Sequence, residues 1–438
     1  MLKFLNRRET GVSDPVEFYR AETTRRTYNL QLSDKKDVEK LFNGCINSLD
    51  IDLIEKRYLL AGGGDGFIII YDVFRPIGKE RYTFPSVGTI ALNNRHRHKF
   101  SVETVLWYPL DTGLFTSSGT DCLLKVWDTN RLKPADEYQF SGLVNSHHMS
   151  PIATKHCLIA VATNSSTVKL VDLKSGSSTH SLKGHDTSVF VVKWSPHNEF
   201  TLATGGGDGK IMLWDIRNAK GSLIQFDKYN GTPPQENFEH SSCIAHNIAV
   251  NGLQFSADGL YLVSCGNDNA LHLWDTTTGR NVGVNYISVS NRSKKSLQFA
   301  VSSACNRDLV FMPNDTKRNP CIHALDMMSG KNLYTLTGHY SSMNCCLFHP
   351  DFHELYSAGM DRNILVWTPK LDDTGYSSLT RKIKRAIRKT TSASECKIDR
   401  KVSENGAMKF NGAEVKDLLS PVAVNPLTAD SWSSDEDG

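Results

Sequence analysis

The feature that most constrains the fold is an internal repeat in the middle of the chain. Seven times, a short apolar run closes on a bulky residue that is followed by a polar one. In chain order the pairs are Tyr71-Asp72, Trp127-Asp128, Val171-Asp172, Trp214-Asp215, Trp274-Asp275, Leu325-Asp326 and Trp367-Thr368. Their spacing averages about 49 residues, a period that indicates an array of like structural units rather than unrelated domains.

Each unit also has a regular interior. An Asp stands six residues before the aromatic residue in five units, and four of these units add a Ser or Thr and a His at fixed distances. The four complete sets are His98, Ser117, Asp121 and Trp127; His185, Thr204, Asp208 and Trp214; His246, Ser264, Asp268 and Trp274; and His339, Ser357, Asp361 and Trp367. A buried Asp costs several kcal/mol unless it is hydrogen-bonded, and these side chains can satisfy it. We therefore predict one buried network per unit. Metal ligands or catalytic bases are not expected, because residues that recur once per unit lie in separate units.

This pattern resembles that of the WD-repeat family, including the Gly-His dipeptides at 184–185 and 338–339. The resemblance implies an all-β fold, a seven-bladed β-propeller over residues 27–371. Units three and six lack the Asp and the Trp, so their interiors must be packed differently. Residues 27–33 (TYNLQLS) alternate like a strand and are predicted to close the ring beside residues 363–367.

Two segments lie outside the predicted ring. Residues 1–26 hold two apolar clusters separated by a helix-breaking stretch, which predicts a short helix-loop-helix. So small a segment either packs on its own propeller or binds a partner, and the pattern leaves both open. Residues 372–438 lose the repeat and predict a disordered tail with a basic run at 381–389. Its acidic end contains two candidate phosphosites, Ser433 and Ser434.

Composition and motifs exclude several classes of protein. There are 50 basic and 47 acidic residues, a net charge of +3, so the chain is not a polybasic nucleic-acid coat. No apolar run approaches the roughly 18 residues that span a bilayer. Ten scattered cysteines without a C-x-x-C pair predict reduced thiols rather than disulfides or zinc ligands. No nucleotide-binding, metalloprotease or hydrolase motif is present. We expect a soluble intracellular protein that is not an enzyme and needs no cofactor or metal.

More specific segments narrow the resemblance. Residues 214–217 (WDIR) match the Trp-Asp-x-Arg box typical of substrate receptors of cullin-4 RING ubiquitin ligases. Several segments closely resemble the Cockayne syndrome A family of WD-repeat proteins, namely residues 21–26 (AETTRR), 46–51 (INSLDI), 101–118, 146–157 (SHHMSPIATKHC), 172–176, 338–340, 354–357 and 431–438 (SWSSDEDG). Residues 146–157 lie in a degenerate unit, where general repeat similarity does not produce them. Residues 376–420, which contain the basic run, look like an insertion relative to this family.

The resemblance implies a nuclear substrate receptor in transcription-coupled nucleotide excision repair. One surface would dock on the large damaged-DNA-binding adaptor subunit, which carries cullin-4 and the RING subunit. The chain would present the Cockayne syndrome B ATPase and stalled RNA polymerase II for ubiquitination. Carried onto this sequence, the adaptor-binding residues are Leu2, Phe4, Leu5, Phe18, Tyr19, Asp215 and Arg217. Direct nucleic-acid binding is not expected. The alternatives are a nucleic-acid-binding scaffold that uses the basic tail and a general WD-repeat scaffold.

Overall fold

Short strands joined by tight turns fill the chain from residue 30 to residue 369. The computed structural model describes residues 9–11, 15–78, 80–218, 220–231, 243–287, 289–303, 305, 307–315 and 320–370. The chain divides into two units, Met1–Leu371 and Asp372–Gly438. The predictions that fall outside the described residues concern Leu2, Phe4, Leu5, the tail with its basic run, Ser433 and Ser434.

Seven antiparallel sheets form the blades of a ring, which confirms the predicted seven-bladed, all-β propeller. The first strands of neighbouring blades contact one another around the central channel, and blade 7 contacts blade 1. From the channel outward, the strands are Ile46–Ile51, Tyr58–Gly63, Ile68–Asp72 and Ser86–Ile90 in blade 1; Val102–Trp107, Leu114–Gly119, Leu123–Asp128 and Lys133–Gln139 in blade 2; Val144–Met149, Leu158–Thr163, Thr167–Asp172 and Ser177–Lys183 in blade 3; Val189–Trp194, Thr201–Gly206, Ile211–Asp215 and Ile224–Gln225 in blade 4; Val250–Phe255, Tyr261–Gly266 and Leu271–Asp275 in blade 5; Ala300–Ser302, Leu309–Asn314, Cys321–Asp326 and Asn332–Thr337 in blade 6; and Met343–His349, Glu354–Gly359, Ile364–Pro369 and Leu30–Leu32 in blade 7.

The ring is closed by an N-terminal strand that follows a helix. Helix α1, Pro15–Tyr28, runs into the strand Leu30–Leu32, which pairs antiparallel with Ile364–Pro369 in blade 7. The predicted strand therefore starts later than residue 27, and the boundary predicted between residues 26 and 27 falls inside α1. The reason is local: the Thr27 hydroxyl and the Asn29 side-chain amide each donate to the carbonyl four residues earlier, 2.9 Å away. Both bonds satisfy carbonyl groups in the last turns of the helix.

A second strand pair lies outside the blades and was not predicted. Lys36–Val38 runs parallel to Tyr82–Phe84. Val38 and Phe84 are buried in one apolar cluster with Tyr71 of blade 1 and with residues of blade 7. The pair therefore covers the junction at which the ring closes.

The tryptophans of the repeat fill the gaps between blades. Trp127 lies in one apolar cluster with Ile68 and Ile70 of blade 1, and Trp214 lies in one with Leu170 of blade 3. The four tryptophans of the complete networks are at most 1% exposed. An indole is the largest apolar side chain available for such a wedge-shaped space. The Trp thus recurs with the period of the chain because each interface between radial sheets has to be filled.

Blades 3 and 6 are satisfied by other polar contacts. In blade 3 the hydroxyl of Ser165 lies 2.8 Å from that of Thr163 and 3.3 Å from that of Thr167. In blade 6 the ring of His323 lies 2.5 Å from the side-chain amide of Asn314. The expectation that these two units are packed differently agrees with these contacts.

Candidate partner-binding face

The predicted network residues come together in blade 2. The Trp127 indole donates to the Ser117 hydroxyl over 2.7 Å, and that hydroxyl lies 2.7 Å from His98 Nε2. The other ring nitrogen of His98 lies 2.8 Å from the Asp121 carboxylate. Since Ser117 accepts from the indole, it donates to Nε2, and the His98 proton sits on Nδ1 facing Asp121. Burial by itself would raise the pKa of Asp121, but hydrogen bonds from His98 and the Lys99 amide hold that pKa below its usual value.

Three more blades repeat these contacts with their own residues. In blade 4 the shortest distances are 3.1 Å from His185 to Asp208, 2.8 Å from His185 to Thr204 and 2.9 Å from Trp214 to Thr204. In blade 5 they are 3.0 Å from His246 to Asp268, 2.8 Å from His246 to Ser264 and 2.8 Å from Trp274 to Ser264. In blade 7 they are 2.5 Å from His339 to Asp361, 2.7 Å from His339 to Ser357 and 2.7 Å from Trp367 to Ser357. Both ring nitrogens of each histidine are engaged inside its blade. The four histidines are therefore structural, and the site of function lies elsewhere.

A set of asparagines links neighbouring blades, and sequence analysis missed it. Asn47, Asn145, Asn251 and Asn344 each follow the first residue of the innermost strand of their blade. Asn47 donates to the Val102 carbonyl at 2.8 Å, and the other three donate to backbone carbonyls of the chain segment next along the ring. In the sequence these residues could be found from the pair of an apolar residue and an Asn that recurs at the start of these strands.

The two ends of the central channel define two faces of the ring. In each blade the first and third strands run in the same direction, because both are antiparallel to the second. We call the face at which they end the lower face and the face at which they begin the upper face. The turns that follow the first strands and the residues that follow the third strands therefore lie together on the lower face.

The Trp-Asp-x-Arg box places Arg217 on the lower face. The third strand of blade 4 ends at Asp215, and a 3-10 turn, Ile216–Asn218, follows it. The Arg217 guanidinium donates twice to Asp215, over 3.0 and 2.6 Å, and lies 4.7 Å from the ring centre of Phe200. The Arg217 side chain remains 61% exposed. The cation is thus fixed in position and partly neutralised by its own chain, and it offers its remaining N–H groups to solvent.

Apolar side chains are exposed on the same face. Five of them, which we call the apolar rim, lie in turns after the first strands of blades 1, 2, 3 and 5: Leu53, Ile54, Leu110, Ile152 and Leu260. Between 41% and 53% of each side chain is exposed. Exposed side chains of this kind can serve as apolar anchors for a protein partner. Sequence analysis did not identify the rim; its signal is an apolar residue in a turn that elsewhere carries polar residues.

Helix α1 lies beside the lower face. The Tyr19 ring is 6.4 Å from that of His353, which lies in the lower-face turn of blade 7. Thr23 and Thr27 in the C-terminal half of α1 are buried, whereas Phe18 and Tyr19 are 51% and 58% exposed. Of the two fates that the sequence left open, packing on the propeller holds for the second half of α1. The first half leaves Phe18 and Tyr19 exposed, with Tyr19 next to the lower-face turn of blade 7.

Three further properties of the described residues bear on the site. None of their helices is long and apolar enough to cross a membrane. They contain no group of three or more His, Cys, Asp or Glu side chains placed to hold a metal ion. The nine cysteines among them are free thiols.

Comparison with known proteins places the chain among repeat proteins. Residues 176–215, 238–275 and 330–368 match the family described as WD domain, G-beta repeat. WD repeat-containing protein ATCSA-1 of Arabidopsis thaliana is 33% identical over 84% of this chain and 95% of its own length. Radiation-sensitive protein 28 of Saccharomyces cerevisiae is 24% identical over 40% of this chain and 38% of its own length. Nuclear distribution protein nudF of Aspergillus niger is 22% identical over 75% of this chain and 72% of its own length. Of these three, the plant protein shows the highest and most extensive similarity.

Proposed function

Because the chain belongs to the WD-repeat family that includes ATCSA-1 of Arabidopsis thaliana, we propose that it is a substrate-recognition subunit of a cullin-4 RING ubiquitin ligase. The observation that carries the proposal is the lower face. There the Arg217–Asp215 pair, the apolar rim and the exposed aromatic side chains of α1 lie on one side of the ring. A rigid face of this kind suits docking on a large adaptor protein.

In this proposal the large damaged-DNA-binding adaptor subunit binds the lower face and brings cullin-4 and the RING subunit. The chain acts in the nucleus, in transcription-coupled nucleotide excision repair. It presents the Cockayne syndrome B ATPase and stalled RNA polymerase II and performs no catalysis itself. Two observations support the repair role: the resemblance of residues 146–157 to the Cockayne syndrome A family, and a yeast relative that is named for radiation sensitivity.

The apolar groups supply most of the proposed binding energy. Aromatic and aliphatic anchors dominate protein interfaces when they are buried in a close-fitting partner surface. Phe18, Tyr19 and the apolar rim provide such anchors. Arg217 contributes orientation, because its guanidinium is held by Asp215 and Phe200 before any partner arrives.

The test is the affinity of the full-length chain for the purified adaptor, measured by calorimetry after co-elution from a sizing column. Arg217→Ala is expected to weaken binding by about 1–3 kcal/mol, because a charge-assisted contact is lost. The double substitution Phe18→Ala with Tyr19→Ala is expected to cost about 2 kcal/mol or more. Point substitutions are preferable to deleting residues 1–26, because that deletion cuts α1 before its end at Tyr28.

Phe100→Ala is the matched control, since Phe100 is 63% exposed and precedes the first strand of blade 2 on the upper face. It should leave adaptor affinity unchanged. Failure of the unsubstituted chain to co-elute with the adaptor contradicts the proposal. Retention of DNA by the chain at about 50 mM salt, lost on removal of residues 376–401, instead supports the nucleic-acid-binding alternative.

A further inference from the structure

The lower end of the central channel holds a cavity of about 260 Å³. Its wall includes Asp50, His148, Lys193 and Gln254, from blades 1, 3, 4 and 5. Each of them is the penultimate residue of the first strand of its blade. The ring symmetry of the fold therefore brings together four polar side chains that are far apart in sequence.

Three of these side chains present hydrogen-bond donors to the cavity that have no partner among the described residues. His148 Nδ1 accepts the Trp194 amide at 3.0 Å, so the ring proton stays on Nε2, where no acceptor meets it. The Lys193 ammonium and the Gln254 side-chain amide make neither an ion pair nor a hydrogen bond with any described residue. All three side chains are part-buried, so in the free chain their donors are left to the water of the open cavity.

Asp50 does not supply the missing acceptor. Its carboxylate accepts the Trp107 amide at 2.7 Å, and no oxygen of it lies within 4 Å of the Lys193 ammonium. Burial raises the pKa of Asp50 to about 7, so the group is only partly ionised near neutral pH. Burial likewise lowers the pKa of Lys193, which the charge of Asp50 opposes. The cavity therefore has a surplus of donors.

The surplus of hydrogen-bond donors matters because the apolar rim lies on the same face as the cavity. Leu53 lines the cavity itself, and the other rim residues lie in the lower-face turns of blades 1, 2, 3 and 5. A protein that docks flat against this face displaces the water that reaches Lys193, His148 and Gln254. Without a replacement acceptor, their donors would lose hydration and gain nothing.

We propose that the partner docked on the lower face inserts an acidic side chain, Asp or Glu, into this cavity, where its carboxylate accepts from Lys193, His148 and Gln254. The proposal rests on the proposed function, in which that partner is the damaged-DNA-binding adaptor. It adds the chemistry of the contact: an anion at the centre of an interface whose periphery is apolar. A hydrogen-bonded charge pair at the centre of an interface contributes more to specificity than the same pair at its edge.

The experiment measures adaptor affinity and the chemical accessibility of Lys193 with the full-length chain. Lys193→Met removes the ammonium with little change in volume and is expected to weaken adaptor binding roughly 30-fold or more. Lys193→Arg keeps the charge and should retain most of the affinity. Lys169→Met on the outer part of blade 3 is the matched control and should bind as the unsubstituted chain does. Thermal unfolding of each variant shows whether it is folded.

Accessibility is read by brief acetylation with an N-hydroxysuccinimide ester, followed by mass spectrometry of the Lys193 peptide. Modification of Lys193 in the free chain and protection in the complex are expected. Unchanged affinity of Lys193→Met, or equal modification in both states, overturns this inference and leaves the proposed function standing. If Lys193→Met does not fold, Gln254→Leu takes its place, and unchanged affinity of that variant with unprotected Lys193 overturns the inference. Absence of adaptor binding by the unsubstituted chain overturns both.

Discussion

Blade 2 and blade 3 are neighbours with the same strand plan, yet they satisfy their interiors in different ways. In blade 2 the turn between the second and third strands carries Asp121, which is linked to His98, Ser117 and Trp127. The same turn position in blade 3 is Ser165, whose hydroxyl contacts only Thr163 and Thr167 close by in sequence. In blade 2 the polar side chain of the turn is bonded to a network that crosses the strands, whereas in blade 3 it is bonded only within its own turn.

The difference shows what the repeat motif is for. A charged carboxylate in a tight turn needs several donors, and blade 2 supplies them from the His98 ring and the Lys99 amide before its first strand and from the Leu123 amide just after the turn. A serine needs one acceptor and few donors, so its partners can all be local. The network is therefore a means of joining strands that are distant in sequence. A propeller tolerates its loss in single blades when less polar substitutes fill the space.

Breaking the network of blade 2 is expected to give the largest loss of stability. Asp121→Ala leaves the buried His98 ring N–H without its acceptor and also removes the acceptor of the Lys99 amide. The expected loss in the free energy of unfolding is about 3 kcal/mol. Urea unfolding followed by tryptophan fluorescence measures it.

Asp186→Ala is the control for that change, because its carboxylate pairs with Lys210 while its side chain is 70% exposed. A surface pair of this kind contributes at most about 1 kcal/mol. Equal losses for the two variants would contradict the special role of the blade 2 network.

The pH dependence of stability reports on two buried histidines, His147 and His272, that are packed beside the networks. Burial lowers the pKa of His147, between blades 2 and 3, to about 3. Burial and the neighbouring His246 lower the pKa of His272 to about 4. The unfolded chain takes up these protons below about pH 6.5, whereas the folded chain resists them, so each of these two histidines lowers the stability as pH decreases from 6.5 towards 4. Each histidine is expected to cost up to about 2 kcal/mol at pH 5 relative to pH 7.5.

Urea unfolding of the unsubstituted chain and of His272→Gln at the two pH values tests this. The variant should lose less stability on acidification, because it lacks one of the two groups. Equal losses of stability in the two chains between pH 7.5 and pH 5 would contradict the assignment to His272.

The carboxyl group of Asp268 affects stability in a more acidic range than the histidines do. Burial raises its pKa, but hydrogen bonds from His246 and two backbone amides outweigh burial and hold it at about 2. Its contribution is complete above about pH 4 and is lost only as pH falls towards 2.

The contrast between blades with and without the complete network also explains how much of the fold could be predicted from the sequence. The seven recurring pairs of a bulky and a polar residue predicted the number of blades, and in four of them the bulky residue is a Trp whose indole fills a gap between radial sheets. The closing strand was predicted beside blade 7 but was started too early. Thr27 is compatible with a strand by propensity, yet its hydroxyl bonds to the Thr23 carbonyl inside α1. Such competition between local contacts is decided by packing and leaves no clear pattern in sequence.

The candidate site was readable only where a motif marks it. Arg217 was identified from the Trp-Asp-x-Arg box that begins at Trp214, although the pairing of Arg217 with Asp215 depends on the shape of the 3-10 turn. The cluster of His148, Lys193 and Gln254 was not identified. These residues are separated by tens of positions and differ in type, and they meet only because the ring places equivalent strand positions around one channel. A search for unlike polar residues at one repeat position would have found them.

A smaller effect measures how strongly the network residues depend on one another. In blade 5 the Trp274 indole donates to the Ser264 hydroxyl at 2.8 Å, and this hydroxyl also contacts His246. Ser264→Ala and Trp274→Phe, made singly and together, should show a coupling energy of about 1 kcal/mol. Additive losses in the urea unfolding series would mean that the three side chains are independent neighbours and not a network.

The smallest effect is expected in blade 3. Ser165→Ala removes a hydroxyl whose partners, Thr163 and Thr167, are adjacent in the same turn. Both partner residues adjoin a turn, so water can replace the lost contact, and the free energy of unfolding should change by about 0.5 kcal/mol or less. Ser165→Asp sharpens the comparison, because it places the carboxylate of blade 2 in a blade that lacks the histidine to receive it. That variant should be less stable than Ser165→Ala in the same urea measurement. The reverse order would show that the turn by itself can satisfy a carboxylate, and that the histidine of the complete blades is not what makes the Asp tolerable there.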